Sequence, residues 1–370
     1  MRLAQIAPLT EAIPPKLYGG TERVVHWLTE ELVAMGHDVT LYASGDSHTS
    51  AKLDAPWPKA LRFDGSVRDP NALHMMMLER VRMRADDFDV LHFHLDYYPF
   101  SLFSRQPTPF VTTLHGRLDL PEHQPVFSAF PSVPVISISD SQRRPLPHAN
   151  WVGTIHHGLP ANLLTPQPAN HEYFAFLGRV APEKGLDRAI QIARQCGIPL
   201  KIAAKIDKAD REYHEAVIRP LIDGTDIEYI GEITDAQKSA FLSNAIALLV
   251  PIDWPEPFGL VMIEAMACGT PVIAFNRGSV AEIIEDGLTG FIVEDERSAI
   301  GAAYRLSELS RPAIRKRFEE RFTARRMAQD YLEVYRGMVQ KDTPRLRLVA
   351  DDSPPLQGPA QPATAERVSR

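Results

Sequence analysis

With two cysteines in 370 residues, Cys196 and Cys268, the chain has no disulfide framework, and its stability must come from buried apolar surface. Each ends a segment of apolar helical periodicity, where a small buried thiol is the expected use. No apolar run approaches the ~20 residues of a membrane-spanning helix, and Met1-Arg2 leads straight into a strand-like Leu3 to Pro8 without an apolar leader. These absences predict a cytoplasmic chain without a transmembrane segment. Basic residues are outnumbered by acidic ones, 40 to 47. The net charge of −7 argues against a nucleic-acid partner, for which a basic face is expected, and against strong attraction to anionic membranes, while a local basic patch for peripheral membrane contact stays compatible with it.

What the chain does have is apolar residue in quantity, 44% of the total, enough for two cores in a chain of this length. Short β-rich apolar runs alternate with helical periodicity, the pattern of a parallel sheet covered on both faces. The alternation occurs twice. Strands are predicted near Leu3–Pro8, Val39–Ala43, Val90–His94, Phe110–Leu114, Val135–Ser139 and Trp151–His156. A second series lies near Phe174–Gly178, Leu200–Ala204, Ile227–Ile230, Ile246–Val250, Pro271–Phe275 and Gly290–Val293. The Pro-rich, aperiodic stretch Pro160–Asn170 separates them. The expected class is α/β, with Rossmann-like doubly wound domains over 1–165 and 166–322. A helix over 323–340 follows, and then a tail over 341–370 whose Pro, Ala, Ser and charge predict disorder.

Two carboxylates, Glu256 and Glu264, stand eight positions apart around a helix start, in Glu256-Pro257-Phe258-Gly259-Leu260-Val261-Met262-Ile263-Glu264. The flanking prolines hold the loop extended, Gly259 permits close backbone approach, and Leu260 to Cys268 reads as an apolar helix closed by Gly269 and Pro271. Unpaired N–H groups near Phe258, Gly259 and Leu260 suit sugar hydroxyls or a diphosphate. Glu256 can accept from sugar hydroxyls and Glu264 from ribose hydroxyls. An unpaired carboxylate within so apolar a helix is costly unless it meets a polar ligand. Upstream, Arg179 follows a strand and Lys184 lies one turn on, two cations able to neutralise a departing diphosphate without a metal.

The paired glutamates, with Gly178-Arg179-Val180-Ala181-Pro182-Glu183-Lys184-Gly185 before them, resemble the donor site of the retaining glycosyltransferases of family 4, which have the GT-B fold of two facing domains. The resemblance extends from about Met1 to about Gln340, and it implies that the helix over 323–340 crosses back to the first domain. It implies transfer of a hexose from a nucleoside diphosphate sugar, UDP-linked, to an acceptor hydroxyl, with no metal or other cofactor. In this reading Arg179, Lys184, Glu256 and His115 are catalytic, and Phe258, Gly259, Leu260 and Glu264 bind the donor. Tyr18-Gly19-Gly20-Thr21-Glu22 resembles the family's glycine pair, which assigns Gly19 and Gly20 to the donor phosphates and sugar. Its spacing is not a full G-x-G-x-x-G, which argues against a dinucleotide oxidoreductase. Backbone near Ile230 is expected to meet the nucleobase. The Arg277-Gly278-Ser279-Val280-Ala281-Glu282 segment departs from the family's Gly-Gly-x-Pro-Glu, which predicts a stiffer loop with fewer ligand contacts and a structural Glu282.

Histidine is unevenly spread, eleven of thirteen preceding Pro160. His92 and His94 share one face of a strand, and His115 ends the next. Without nearby cysteine or a carboxylate at ligand spacing, hydrogen bonding is a better use for them than zinc. The resemblance sets His115 against the donor hexose, and His94 with Asp96 are the acceptor-side candidates. His92 reads equally as a satisfied core residue. Asp87-Phe88-Asp89, an Asp-x-Asp, precedes a strand and so lies at the wrong edge for a metal site. A nucleotide-sugar epimerase and a nonenzymatic nucleotide-sugar sensor are the alternatives. The acceptor, expected to contact loops such as Ser44–Pro58 and Gly116–Pro125, has no signature.

Overall fold

A computed structural model describes residues 1–16 and 19–342, the side chains of Lys341 and Asp342 excepted. The first sheet has seven strands: β1 (Arg2–Ile6), β2 (Asp38–Tyr42), β3 (Lys52–Asp54), β4 (Val90–Phe93), β5 (Phe110–Thr113), β6 (Pro134–Ser137) and β7 (Asn150–Thr154). Their order is β3-β2-β1-β4-β5-β6-β7, all parallel. The second comprises β8 (Tyr173–Arg179), β9 (Leu200–Lys205), β10 (Ile227–Gly231), β11 (Ala245–Val250), β12 (Val272–Phe275) and β13 (Gly290–Val293). These are again parallel, in the order β10-β9-β8-β11-β12-β13. Both are doubly wound, with a switch point beside the first strand of each, and the fold is GT-B. Strand β3 lies inside the segment read as the variable loop Ser44–Pro58. Three residues, two of them exposed, carry too little alternation to announce a strand.

Alternation of side chains decides what covers each face of the first sheet. Ala4, Ile6, Leu91, Phe93, Phe110 and Val135 pack with Met77, Leu78 and Val81 of the helix Pro70–Met83. Leu3, Val90, Val111 and Ile136 face the other way, onto Val24, Trp27 and Leu28 of the helix Gly20–Ala34 and Tyr331, Leu332 and Tyr335 of the helix Ala324–Asp342. The same rows continue as Gln5, His92, His94 and Thr113, all buried. A polar stripe therefore lies beneath the last helix. That helix ends at Asp342, two residues into the tail expected to be unstructured. The remainder of the tail, and Tyr18, lie outside the described residues.

The chain passes between the sheets twice, and the two passages are joined. Leu159 and Thr323 form a parallel bridge, in which Leu159 N donates to Phe322 O at 2.9 Å and Ala324 N to Leu159 O at 2.7 Å. Arg326 adds bonds to the carbonyls of His156 and His157 at 2.8 and 2.9 Å. Gly158 is required there because a Cβ would come 2.2 Å from Thr323 O. Two further contacts tie the halves together. Arg23 pairs with Asp235, and the Glu282 carboxylate accepts from Asp140 N, Ser141 N and His156 Nε2 at 2.8, 2.7 and 3.1 Å. Glu282, read as structural from the sequence, thus occupies the N-terminal end of a short helix of the opposite half. Gly158→Ala should lower stability by about 1–3 kcal/mol, the usual cost of overfilling a closed contact. An unchanged thermal unfolding midpoint would contradict the closeness of these passages.

Candidate active site

The carboxyl ends of both sheets open onto one cavity of about 450 Å³. Its walls come from segments that follow strands: Gly19 and Gly20 after β1, His115 and Gly116 after β5, His157 after β7, Lys184 after β8, and Trp254 to Leu260 after β11. Open doubly wound sheets bind ligands at this edge because helix N-termini converge there.

At the switch between β8 and β11, two loops meet that are far apart in sequence. Lys184 Nζ pairs with Glu256 Oε2, the same oxygen receives Trp254 Nε1 at 2.9 Å, and Lys184 stands 4.8 Å from the Trp254 ring centroid. One oxygen of Glu256 is thereby fixed, leaving Oε1 for another donor. Gly278 (φ 59) makes the Glu256 loop possible, since a Cβ there would lie 2.3 Å from both the N and the O of Glu256. Ser279 supports the same loop: its N donates to Glu256 O at 3.0 Å and its Oγ to Phe258 O at 2.8 Å. The serine that departs from the family pattern acts here as a strut.

The helix Leu260–Ala267 begins at Gly259, which is left-handed (φ 81, ψ 70), and has no side-chain cap. Met262 N turns back to Gly259 O at 3.1 Å, and Gly259, Leu260 and Val261 line the cavity at this helix start. Gly20 approaches it from the first domain, with Leu260 Cδ1 3.6 Å from the position a Cβ would take. Phe258 is 2% exposed and packs edge-on against His157 at 4.8 Å, a core element at the cavity wall. Glu264 also lines the cavity but is not an unpaired carboxylate awaiting a ligand. It is 4% exposed, and Lys238 Nζ donates to its Oε1 at 2.6 Å. That pairing removes the cost on which the sequence argument relied, and the second oxygen keeps its acceptor capacity.

Arg179 lies on the same wall, held by Glu183 and by Asp210, 3.4 Å from its Nε. Glu183 orients this arginine as well as standing at the start of a helical turn. Lys205, Arg62 and Glu11, marked by no motif in the sequence, also line the cavity, as does Glu22, which closes the glycine-pair segment but has no role assigned there. Arg62 pairs with Glu11 at 2.7 Å. Burial pushes the Glu22 carboxyl above its ordinary value, and nearby Glu11 adds to the push. His157 was missed too; it stacks on His115 at 5.3 Å and 19°.

Three expectations need correcting. His94 does not face an acceptor: it is 3% exposed and bonded to His115 Nε2 through Nδ1 and to Gln5 Oε1 through Nε2, both at 2.9 Å. Asp96 is exposed with φ 46 and does not line the cavity. Ile230 is 37% exposed and lies off it as well, because the register of β10 shifts between Tyr229 and Gly231; Glu232 and Ile233 take its place. His92 is a satisfied core group, bonded to Thr113 Oγ1 at 2.7 Å and to Tyr335 OH at 2.6 Å. The Asp-x-Asp carboxylates are engaged with Arg84 and Arg2 at 3.0 and 2.9 Å.

The chain matches the family described as "Glycosyl transferases group 1" over residues 165–324 and that described as "Glycosyltransferase Family 4" over residues 18–175. It is 27% identical to a phosphatidyl-myo-inositol mannosyltransferase of Mycobacterium leprae, covering 86% of this chain and 90% of that protein. It is 26% identical to a glycogen synthase of Mycobacterium tuberculosis, over 91% and 96% of the two. Among solved structures, a glycosyltransferase of avilamycin A biosynthesis superposes with a TM-score of 0.71 at 23% identity, covering 92% of this chain and 98% of that one. Anabaena HepE in complex with UDP does so with 0.70 at 18% identity, over 91% and 100%.

Burial holds the imidazoles of His92, His94 and His157 well below their ordinary value and that of His115 down to about 3. Below pH 6.5 the unfolded chain therefore takes up protons that the folded chain refuses, and stability falls as pH falls. Glu11 and Glu22, shifted upward, offset part of this. The unfolding midpoint should decline from about pH 7.5 to about pH 5; a flat or rising midpoint would contradict neutral buried histidines.

Proposed function

The chain belongs to the group 1 glycosyltransferases of family 4, and from that premise we propose a retaining hexosyltransferase that takes its sugar from a UDP-linked donor, acts in the cytoplasm and needs no metal. The observation that carries the donor reading is the meeting of Lys184 and Glu256 beside the uncapped helix at Gly259, at a switch point of the second sheet. Cations and free N–H groups belong where a diphosphate rests, and a carboxylate with one oxygen already fixed is suited to hold a sugar hydroxyl with the other. The UDP bound to HepE, a protein of this fold, supports the choice of nucleotide.

In this reading the bond between the anomeric carbon and the diphosphate oxygen breaks first. Positive charge develops on the sugar and negative charge on the leaving phosphate. Lys184, Arg179 and the N-terminus of the helix Leu260–Ala267 stabilise the latter. The acceptor oxygen bonds to the anomeric carbon from the face being vacated, and its proton passes to the departing phosphate oxygen. Configuration is thereby retained without a protein nucleophile. Glu256, tied to Lys184 and Trp254, orients the hexose together with His115, while Glu264 holds the ribose.

Thermal unfolding against UDP, ADP, GDP and their sugars tests this reading, because a ligand that binds only the folded chain raises its midpoint. A selective rise with UDP and a UDP-hexose is expected; a rise with another nucleotide alone would overturn the choice of base. Lys184→Ala should lower turnover by about 100-fold or more, the scale of removing one preorganised charge. Turnover near that of the parent would remove Lys184 from the mechanism.

A further inference from the structure

A continuous line of side-chain hydrogen bonds runs from the cavity wall into the first domain and ends on the last helix. His115 Nε2 meets His94 Nδ1 at 2.9 Å, and His94 Nε2 meets Gln5 Oε1 at 2.9 Å. Gln5 Nε2 donates to Tyr335 OH at 3.2 Å, and Tyr335 OH meets His92 Nδ1 at 2.6 Å. His92 Nε2 then meets Thr113 Oγ1 at 2.7 Å, and Thr113 meets Tyr331 OH at 3.0 Å. Neighbouring strands supply the groups in register, with Gln5 beside His92.

Donor and acceptor roles along this line follow from the Gln5 amide, whose oxygen only accepts and whose nitrogen only donates. Since Oε1 accepts from His94, the hydrogen of that imidazole is on Nε2. A neutral ring has one such hydrogen, so His94 Nδ1 accepts, and His115 must donate to it from Nε2. His115 Nδ1 is then bare. It is also buried without a hydrogen-bond partner among the described residues. On the other side Tyr335 OH, having accepted from Gln5, donates to His92 Nδ1, which leaves His92 Nε2–H for Thr113. Burial keeps His92, His94 and His115 neutral, as this pattern requires.

We propose that Gln5, His94 and Tyr335 are positioning residues that hold His115 in the tautomer with a bare Nδ1, so that it accepts a hydrogen from a hydroxyl of the donor hexose. Its role toward the hexose rests on the function proposed above; the tautomer does not. The last helix is therefore part of the apparatus that prepares the sugar site, although Tyr335 does not line the cavity. A hydroxyl pointing its hydrogen at Nδ1 is held, whereas a sugar position offering only an acceptor there is refused.

Histidine ring-nitrogen NMR on the full chain, free of ligand, reads the tautomer directly. Wild type should show His115 protonated on Nε2 and bare on Nδ1. Tyr335→Phe keeps the ring and removes the hydroxyl that holds the Gln5 amide. It should give His115 mixed tautomers and lower kcat about tenfold, the scale of one lost hydrogen bond, with the affinity for free UDP unchanged. Gln5→Met is the second variant, with the same expectation, should Tyr335→Phe fail to fold. A hydrogen on His115 Nδ1 in wild type would overturn the proposal, as would unmoved His115 signals in a folded variant. Mixed tautomers with unchanged kcat would overturn the role in the reaction. Failure of wild type to use any nucleotide sugar would instead overturn the donor reading and leave the tautomer measurement standing.

Discussion

Polar side chains buried within a parallel sheet are costly unless they find partners, and for the stripe of Gln5, His92 and Thr113 the partners come from the far end of the chain. Gln5, His92 and Thr113 lie on the central strands of the first sheet, and Tyr331 and Tyr335 reach them from a helix more than two hundred residues later in the sequence. An unsatisfied polar group at that depth costs about 1–3 kcal/mol. The helix Ala324–Asp342 therefore supplies hydrogen bonds as well as apolar cover for Leu3, Val90 and Val111. Where it rests also fixes the bridge at Leu159 and Thr323, and with it the approach of the two sheets across the cavity.

The cavity shows the complementary economy of charge. Cations and carboxylates are held in pairs: Lys184 with Glu256, Lys238 with Glu264, Arg62 with Glu11, and Arg179 with Glu183. Each pair fixes the rotamers of long side chains before any ligand arrives, so less conformational entropy remains to be lost on binding. A carboxylate with one oxygen so engaged still has acceptor capacity for a hydroxyl. An anionic ligand meets cations whose field is already partly balanced, which favours reversible binding over permanent capture.

Much of the architecture was legible from alternation alone, because strands buried on both faces read as apolar runs and the turns between them carry glycine and proline. The glutamates and the Arg-Lys segment were legible for a different reason: each lies in a short run of sequence that resembles a known family's donor site and stands within a few positions of a strand end. The missing parts share a cause. Lys238 lies far in sequence from Glu264, and Tyr335 farther still from His92, so no local spacing announces either contact. His94 was misread because its strand face was recognised while its partners, Gln5 and His115, come from segments that no local spacing ties to it. Ile230 was misread because a register shift turns it outward, and such a shift leaves no mark in composition.

The docking of the last helix has a consequence for the birth of the molecule. On the ribosome, residues 1–157 emerge first, but the tyrosines that satisfy Gln5 and His92 are made near the end of the described chain. The second sheet, β8 to β13, is continuous in sequence and can close its own core while synthesis proceeds. The domain made first is thus the last to be completed. Chains cut short before Tyr331 should leave the ribosome with a finished second half and an open, chaperone-dependent first half.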